Sequence, residues 1–195
     1  FHQNGNITTL HNLRTRTVSE MERELEIFAR TRKISLILPC LYSELEGPAL
    51  PKILSELSKV TYLHRIIIGL DAADEAQFRK ARSFFKGLQQ NHIVIWNDSP
   101  RMLALGARLE DLGLAPQEPG KGKNVWSSLG YLMGCADSAV MALHDCDILT
   151  YDKEMLARLV YPVANPSFPY QLAKGYYPRI GDGNVNGRVT RLLVS

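Results

Sequence analysis

Residues 34–39 read Ile34-Ser35-Leu36-Ile37-Leu38-Pro39, an almost wholly apolar run that stops at a proline. A short continuous apolar run predicts a strand buried on both faces, and such strands occur in parallel sheets. Three later runs share this character: 65–70, 93–96 and 139–143. Helical periodicity lies between these runs. Strands that alternate with helices predict an α/β fold with a mostly parallel sheet flanked by helices.

Helices are predicted between and around these strands. Thr17 opens the first, because Glu20 follows at the capping-box spacing and an apolar face recurs at Val18, Met21, Leu25 and Phe28. The remaining elements are predicted as helices at 50–57, 74–85, 102–111, 125–135 and 153–160, and as a late strand at 170–177. Trp126, Leu129 and Met133 share one helix face, so we expect Trp126, like Phe78, to pack in the core.

The two ends of the chain predict an N-terminal arm and a longer protein. Residues 1–16 show no hydrophobic period and predict an extended arm. The chain begins at Phe1 rather than Met, and it ends at Ser195 directly after an apolar run. We therefore expect a longer protein, of which a C-terminal part is missing from this sequence.

The composition argues against several classes of protein. Lys and Arg number 23 against 20 Asp and Glu, and this small excess indicates neither a nucleic-acid nor an anionic-membrane partner. No apolar run approaches the ~18 residues that span a bilayer, and no signal peptide is visible. The spacing of Cys40, Cys135 and Cys146 fits neither a disulfide framework nor a zinc site. A cytoplasmic protein is the simplest interpretation.

The strongest chemical signal is Asp145-Cys146-Asp147, directly after the fourth predicted strand. Two carboxylates at such a turn can share Mg²⁺ or Mn²⁺, which take oxygen ligands and leave positions open for phosphates. The alternative is a pair of solvated turn carboxylates. His144 is either a further ligand or, more commonly for such a residue, a hydrogen-bonded half-buried side chain. Cys146 has no evident base partner and is not interpreted as a nucleophile.

Other polar groups follow the predicted strands and face the same crevice, because ligands bind outside the carboxyl ends of parallel strands. Glu44 and Asp71 can accept hydrogen bonds from a ribose or a base. Helix capping is their alternative role, and it explains Asp71 better than Glu44, since Glu44 lies well before the next helix. The loop at 120–123, Gly-Lys-Gly-Lys, precedes a predicted helix and suits an anion, although it lacks P-loop spacing. A mobile surface loop is the alternative there.

A last candidate lies near the end of the sequence, at 187–190. These residues read Gly187-Arg188-Val189-Thr190. Arginine can grip a phosphate or carboxylate with two parallel N–H bonds, while threonine adds a hydroxyl. A surface turn before a strand is the alternative interpretation.

Taken together, these residues resemble the GT-A glycosyltransferases: strand 34–39 followed by Glu44, a second strand ending at Asp71, and the later Asp145-x-Asp147. A narrower resemblance is to glucosyl-3-phosphoglycerate synthases, with mannosylglycerate-type relatives next. It rests on three segments: 119–122 leading into Val125-Trp126-x-Ser128-Leu129, 174–179, and 187–190. The resemblance implies a GT-A nucleotide-sugar-binding domain at 34–195, incomplete at its C-terminus, after an N-terminal arm and helix at 1–33.

The resemblance also implies roles for individual residues. The donor nucleoside diphosphate-glucose would be held by Pro39, Leu41, Glu44, Asp71, Lys121, Gly122 and Asp145. Asp147, with Asp145, would hold Mg²⁺ or Mn²⁺, and a third ligand would lie beyond residue 195. Catalysis would depend on Asp147 and Lys121. The acceptor 3-phosphoglycerate would be held by Gly187, Arg188 and Thr190.

The implied reaction is glucosyl transfer to 3-phosphoglycerate with retention at the anomeric carbon. Relatives of this kind are often dimers, so a homodimer is one of the oligomeric states that the resemblance leaves open. Alternatives are a mannosyltransferase or another GT-A hexosyltransferase, a nucleotidyltransferase, and a non-catalytic nucleotide-sugar-binding module. A nucleotidyltransferase usually has a Gly-rich basic loop after its first strand, where this chain has 40–44, Cys-Leu-Tyr-Ser-Glu. The turn 71–74, Asp-Ala-Ala-Asp, also departs from the Ser- and Gly-rich turn of relatives.

Overall fold

The computed structural model describes residues 16–116, 118–175, 179–181 and 184–186. The helices are α1 (Val18–Ala29), α2 (Ala49–Leu57), α3 (Glu75–Phe85), α4 (Pro100–Asp111), α5 (Lys121–Cys135) and α6 (Lys153–Ala164). The strands are β1 (Ile34–Leu41), β2 (Leu63–Asp71), β3 (His92–Trp96), β4 (Val140–Leu143), β5 (Arg179–Gly181) and β6 (Asn184–Asn186). A short 3₁₀ turn, Tyr42–Glu46, follows β1.

The main sheet has the strand order β3-β2-β1-β4, and every neighbouring pair in it is parallel. This confirms the predicted parallel α/β architecture. β5 and β6 form a separate antiparallel pair. The capping box predicted at Thr17 is present, and a second one, at Asp74, begins α3. Within the described residues, no helix combines the length and the apolar character that crossing a bilayer would require.

β1 runs on to Leu41, so the prediction that it stops at Pro39 is wrong. Pro39 lies in register with Gly69 of β2. The Ile37 carbonyl accepts a hydrogen bond from the His144 N–H on the β4 side. Because alternate residues point to the same neighbour, the ring nitrogen of Pro39 also points to that side. β4 ends at Leu143, before this point, so no ladder hydrogen bond is lost to the proline.

The core lies on both faces of the sheet. The larger apolar cluster includes Leu36 and Leu38 of β1, and α1 and α6 pack together on its side. On the opposite face, Ile37 and Ile67 pack with Leu132 of α5. This division follows from the alternation of side chains along a strand, and it places α5 over β1 and β2, while Met141 and Leu143 of β4 stay exposed on the same face.

A close contact between β2 and α5 holds that helix against the sheet. The Asn124 side chain is buried and its Nδ2 donates to the Gly69 carbonyl at 2.7 Å. A Cβ placed on Gly69 would lie 1.9 Å from Asn124 Oδ1 and 2.8 Å from Ser128 Oγ. Only glycine therefore permits this approach, which places the N-terminal end of α5 near the ends of β1 and β2.

α5 begins at Lys121, four residues before the predicted start at 125. Gly120 precedes it with φ +119°, a conformation that suits glycine. Its buried residues are Asn124, Ser128 and Leu132, a different face from the predicted one, because the small polar groups pack on the Gly69 backbone. As a result Trp126 and Met133 are 37% and 72% exposed, so the prediction that Trp126 packs in the core is wrong.

Three other predictions, on Phe78, on the late strand and on the end of α6, have different outcomes. Phe78 packs against the core as expected, and its ring stacks on Trp96 with centroids 5.1 Å apart. The late strand predicted at 170–177 is wrong over 170–175, where the described backbone forms no strand. α6 also runs four residues beyond its predicted end and contains Pro162.

Candidate functional site

Parallel strands bring their carboxyl ends to one edge of the sheet, and the predicted polar groups gather there. Glu44 follows β1, Asp71 ends β2, and Asp145 with Asp147 follows β4. The N-terminus of α5 reaches the same edge and brings Lys121 to Asp145. The residues predicted at the strand ends, which are far apart in sequence, therefore lie at one edge of the sheet.

In the segment after β4, buried and accessible side chains alternate along the backbone. His144 and Cys146 are buried, whereas Asp145 is partly exposed and Asp147 is exposed. The two carboxylates are thus accessible, separated by a buried cysteine. Their oxygen donors fit a hard divalent cation such as Mg²⁺ or Mn²⁺ that keeps positions for a diphosphate.

Lys121 forms an ion pair with Asp145. It is the first residue of α5, so its ammonium group and the positive end of the helix lie at the same place. Gly122 follows in the first turn, and among the described residues a Cβ placed on it meets no heavy atom within 4 Å. The prediction that 120–123 precedes a helix is therefore corrected: Gly120 caps the helix, and 121–123 lie inside it.

Glu44 lies within the electrostatic reach of the same cluster. Burial raises the pKa of the Glu44 carboxyl, the hydrogen bond from the Leu41 N–H at 2.9 Å opposes that rise, and the Asp147 charge adds to it. Lys121 acts in the lowering direction on the same pKa. The charges of Asp147 and Lys121 therefore both act on the Glu44 carboxyl.

Helix capping was expected to explain Asp71 better than Glu44, and the structure shows the reverse. Glu44 accepts the Leu41 N–H at the start of the 3₁₀ turn, so it does have a capping role. Asp71 does not cap α3, because Asp74 performs that function. Instead Asp71 Oδ1 accepts from Asn97 Nδ2 at 2.7 Å. Local spacing misled here because the 3₁₀ turn lies between β1 and α2.

The turn after Asp71 is held firmly to the end of β3. Trp96 Nε1 donates to the Ala73 carbonyl at 2.7 Å, and the Ala73 N–H donates to Asp98 Oδ2 at 3.1 Å. Ala72 takes a left-handed conformation with φ +55°, which is unusual for alanine. Asp71 is therefore presented on a rigid turn. Asn124, which helps to position this edge through the Gly69 carbonyl, was not among the predicted site residues.

His144 supports the interpretation as a hydrogen-bonded buried residue. Its Nδ1 and the Tyr151 hydroxyl share a hydrogen bond of 3.0 Å. Burial lowers the pKa of His144 from 6.5 to about 4, and the neighbouring Asp145 carboxylate only partly opposes this. A histidine packed in this way faces the core rather than the carboxylate pair.

The His144 pKa predicts a loss of stability in acid. The unfolded chain takes up a proton at about pH 6.5, whereas the folded chain resists it until about pH 4. Stability is full above pH 6.5 and falls by up to about 3 kcal/mol as the pH drops to 4. Urea unfolding of wild type and His144→Gln at pH 7 and 4.5 measures this. We expect the free energy of unfolding to depend less on pH in His144→Gln than in wild type. An unchanged pH dependence in His144→Gln, or an equal loss of it in the control His92→Gln, would contradict the role given to His144.

Of the other predicted site residues, two lie in the described part of the chain and three lie outside it. Pro39 and Leu41 lie at the end of β1, beside Glu44, and Leu41 is exposed. Gly187, Arg188 and Thr190 lie outside the described residues, as do residues 1–15 of the predicted arm. The acceptor assignment therefore remains a prediction.

Comparison with known proteins gives a consistent picture. No protein-family model matches the chain. The glucosyl-3-phosphoglycerate synthase of Persephonella marina is 48% identical over 193 residues, which are 99% of this chain and 48% of that protein. The enzyme of the same name from Methanococcoides burtonii is 36% identical over 191 residues, 96% of this chain and 46% of that protein. The chain spans about half the length of these curated relatives.

Solved structures agree at the level of the fold. Glucosyl-3-phosphoglycerate synthase from Mycobacterium tuberculosis, in complex with Mn²⁺, uridine diphosphate and glucosyl-3-phosphoglycerate, has a TM-score of 0.50 and 20% identity, covering 82% of this chain and 47% of that one. A complex of the same enzyme with Mn²⁺, uridine-diphosphate-glucose and phosphoglyceric acid gives the same values. The chain described here has the GT-A fold and, over nearly its whole length, resembles about half of a glucosyl-3-phosphoglycerate synthase.

Proposed function

We propose that the full-length protein transfers glucose from a nucleoside diphosphate-glucose to the 2-hydroxyl of 3-phosphoglycerate, with retention at the anomeric carbon. The observation that carries this is the meeting of Glu44, Asp145, Asp147 and Lys121 at the carboxyl edge of the sheet. The 48% identity to a protein named for this activity supports the choice of substrates.

The donor would lie along the edge formed by β1, β2 and α5. In this proposal Pro39, Leu41 and Glu44 border the nucleoside and Asp71 reads the base. Lys121 and Gly122 meet the diphosphate at the positive end of α5, where an anion is favoured. The Lys121–Asp145 ion pair then opens, because the diphosphate offers the ammonium group a stronger anionic partner.

Asp147 and Asp145 would hold Mg²⁺ or Mn²⁺, and a third ligand would come from beyond residue 195. A divalent cation bound there would neutralise charge on the departing diphosphate. The side chains themselves supply position: Asp147 and Asp145 orient the phosphate end of the donor, and Lys121 stabilises the leaving oxygen. Because the described residues at this edge include no evident nucleophile for the sugar, attack by the acceptor from the leaving-group side accounts best for retention.

The acceptor end of the proposal depends on Gly187, Arg188 and Thr190. An anionic acceptor needs a cation, and a bidentate arginine with neighbouring amide and hydroxyl groups supplies one. The proposal further includes a nucleotide-sugar-binding domain at 34–195 after the arm and helix at 1–33, a homodimer, and a cytoplasmic location.

The experiment that tests this function is nucleoside diphosphate release by the full-length protein. UDP-, GDP- and ADP-glucose are offered in turn, with and without 3-phosphoglycerate and with and without Mg²⁺. We expect release with one preferred donor that requires both acceptor and metal. Release from a nucleoside triphosphate and a sugar phosphate would instead indicate a nucleotidyltransferase. Donor binding without release from the folded protein would indicate a binding module.

Lys121→Met should raise KM for the donor at least about 10-fold, because a charge-assisted contact to the diphosphate is worth about 1.5–3 kcal/mol. Lys123→Met is the matched control, since Lys123 lies two residues on and pairs with Glu110 instead. Initial rates against donor concentration measure both variants. Equal effects of the two substitutions would contradict the role given to Lys121.

A further inference from the structure

Two buried cysteines lie beside the candidate site, and the proposed function leaves both unused. Cys40 and Cys146 are each 2% exposed. Their sulfur atoms and a carboxylate oxygen of Glu44 all lie within 4.8 Å of one another. Spacing along the chain did not predict this cluster, because 106 positions separate the two cysteines.

The parallel pairing of β1 and β4 accounts for the meeting. Ile37 lies in register with Leu143, and Cys40 and Cys146 each come three residues later. Alternation turns Cys40 to the same side as Leu38 and Leu36, in the main core. Cys146 is buried while Asp145 and Asp147 on either side of it are accessible, so the thiol and the two carboxylates point to different sides.

We propose that Cys40, Cys146 and Glu44 form a three-ligand site for a thiophilic divalent cation such as Zn²⁺, distinct from the Asp145–Asp147 pair. Zinc binds sulfur at about 2.3 Å in a tetrahedron, which sets donors about 3.8 Å apart, so ligands within 4.8 Å need only small shifts. Thiolate ligands select such cations over Mg²⁺ or Mn²⁺. On binding, both thiols release their protons to solvent and two metal–sulfur bonds form.

Binding at this site has a consequence for the proposed function. The cation would occupy a carboxylate oxygen of Glu44 and make it unavailable to the donor, and a metal-bound Cys146 would fix the backbone between Asp145 and Asp147. Zinc would thus inhibit glucosyl transfer rather than replace Mg²⁺. This consequence rests on the proposed function, whereas the site itself does not.

Cadmium titration of the reduced full-length protein tests the site directly. We expect one Cd²⁺ per chain with the ultraviolet charge-transfer band of cadmium thiolate, and affinity at least about 10-fold weaker in Cys40→Ser and in Cys146→Ser. Cys135→Ser is the control, because Cys135 lies at the far end of α5, about 21 Å from Lys121 by helical rise. Asp147→Asn should keep the band. No band in wild type, or full affinity in both serine variants, would overturn the proposal.

A second measurement covers the case in which a serine variant fails to fold. X-ray absorption of the zinc-loaded wild-type protein should show two sulfur ligands at about 2.3 Å together with oxygen. A shell of oxygen and nitrogen alone would place the ion elsewhere and overturn the site. Because both measurements report ligation rather than turnover, their outcome is independent of whether the protein transfers glucose.

Discussion

Replacing Asp147 with alanine should lower kcat for metal-dependent glucosyl transfer by at least about 100-fold, the usual effect of removing a group that organises charge stabilisation at the leaving group. Asp147 is exposed and lies in a turn. Its loss should therefore change the free energy of unfolding by no more than about 0.5 kcal/mol.

The control for this variant is Asp111→Ala, which removes an exposed acid at the end of α4. Steady-state rates over a range of Mg²⁺ concentrations, with urea unfolding of each variant, separate a lost ligand from a lost fold. Unchanged kcat in a folded Asp147→Ala protein would contradict the assignment. An equal loss in Asp111→Ala would attribute the effect to net charge.

Among the substitutions, Gly69→Ala should have the largest effect on stability. The added Cβ would meet the buried Asn124 side chain at 1.9 Å. Either Asn124 swings away and abandons the Gly69 carbonyl, or α5 lifts from the sheet. Overpacking and the lost hydrogen bond together should reduce the free energy of unfolding by about 3 kcal/mol.

Gly130→Ala in α5 is the control, because among the described residues a Cβ placed on Gly130 meets no heavy atom within 4 Å. This change should stabilise the protein slightly, by about 0.5–1 kcal/mol, since alanine favours helix. Urea unfolding midpoints measure both variants. If Gly69→Ala is as stable as wild type, the close packing of α5 on β2 is not as described.

The fold could be predicted because its strands are short apolar runs. The predicted burial on both faces holds for β1 and β2, whereas β3 is half-buried and β4 leaves Met141 and Leu143 exposed. The runs at 34–39, 65–70 and 93–96 needed only periodicity and length to be recognised. The start of α5 could not be predicted in this way. Two glycines at 120 and 122 weaken the local helical signal, whereas the contact of Asn124 with Gly69, 55 positions away, holds the first turns.

Much of the candidate site followed from strand ends alone. Asp145, Asp147 and Glu44 were predicted because parallel strands present their carboxyl ends together, and Lys121 because a glycine-rich basic segment came next to a helix. The pairing of Cys40 with Cys146 needed the register of β1 and β4, which no local pattern contains. The hydrogen bond between Asn97 and Asp71 could not be predicted for the same reason, since the two residues lie at the ends of different strands.

The most direct test of the central claim is the product itself. The full-length protein, Mg²⁺ and 3-phosphoglycerate are incubated with nucleoside diphosphate-glucose labelled with ¹³C at the anomeric carbon, and the product is followed by NMR. Glucosyl transfer with retention predicts one new α-anomeric signal, coupled through the glycosidic oxygen to the 2-carbon of phosphoglycerate. A β-anomeric signal would contradict retention, and free glucose or unchanged donor from the folded protein would contradict transfer to this acceptor.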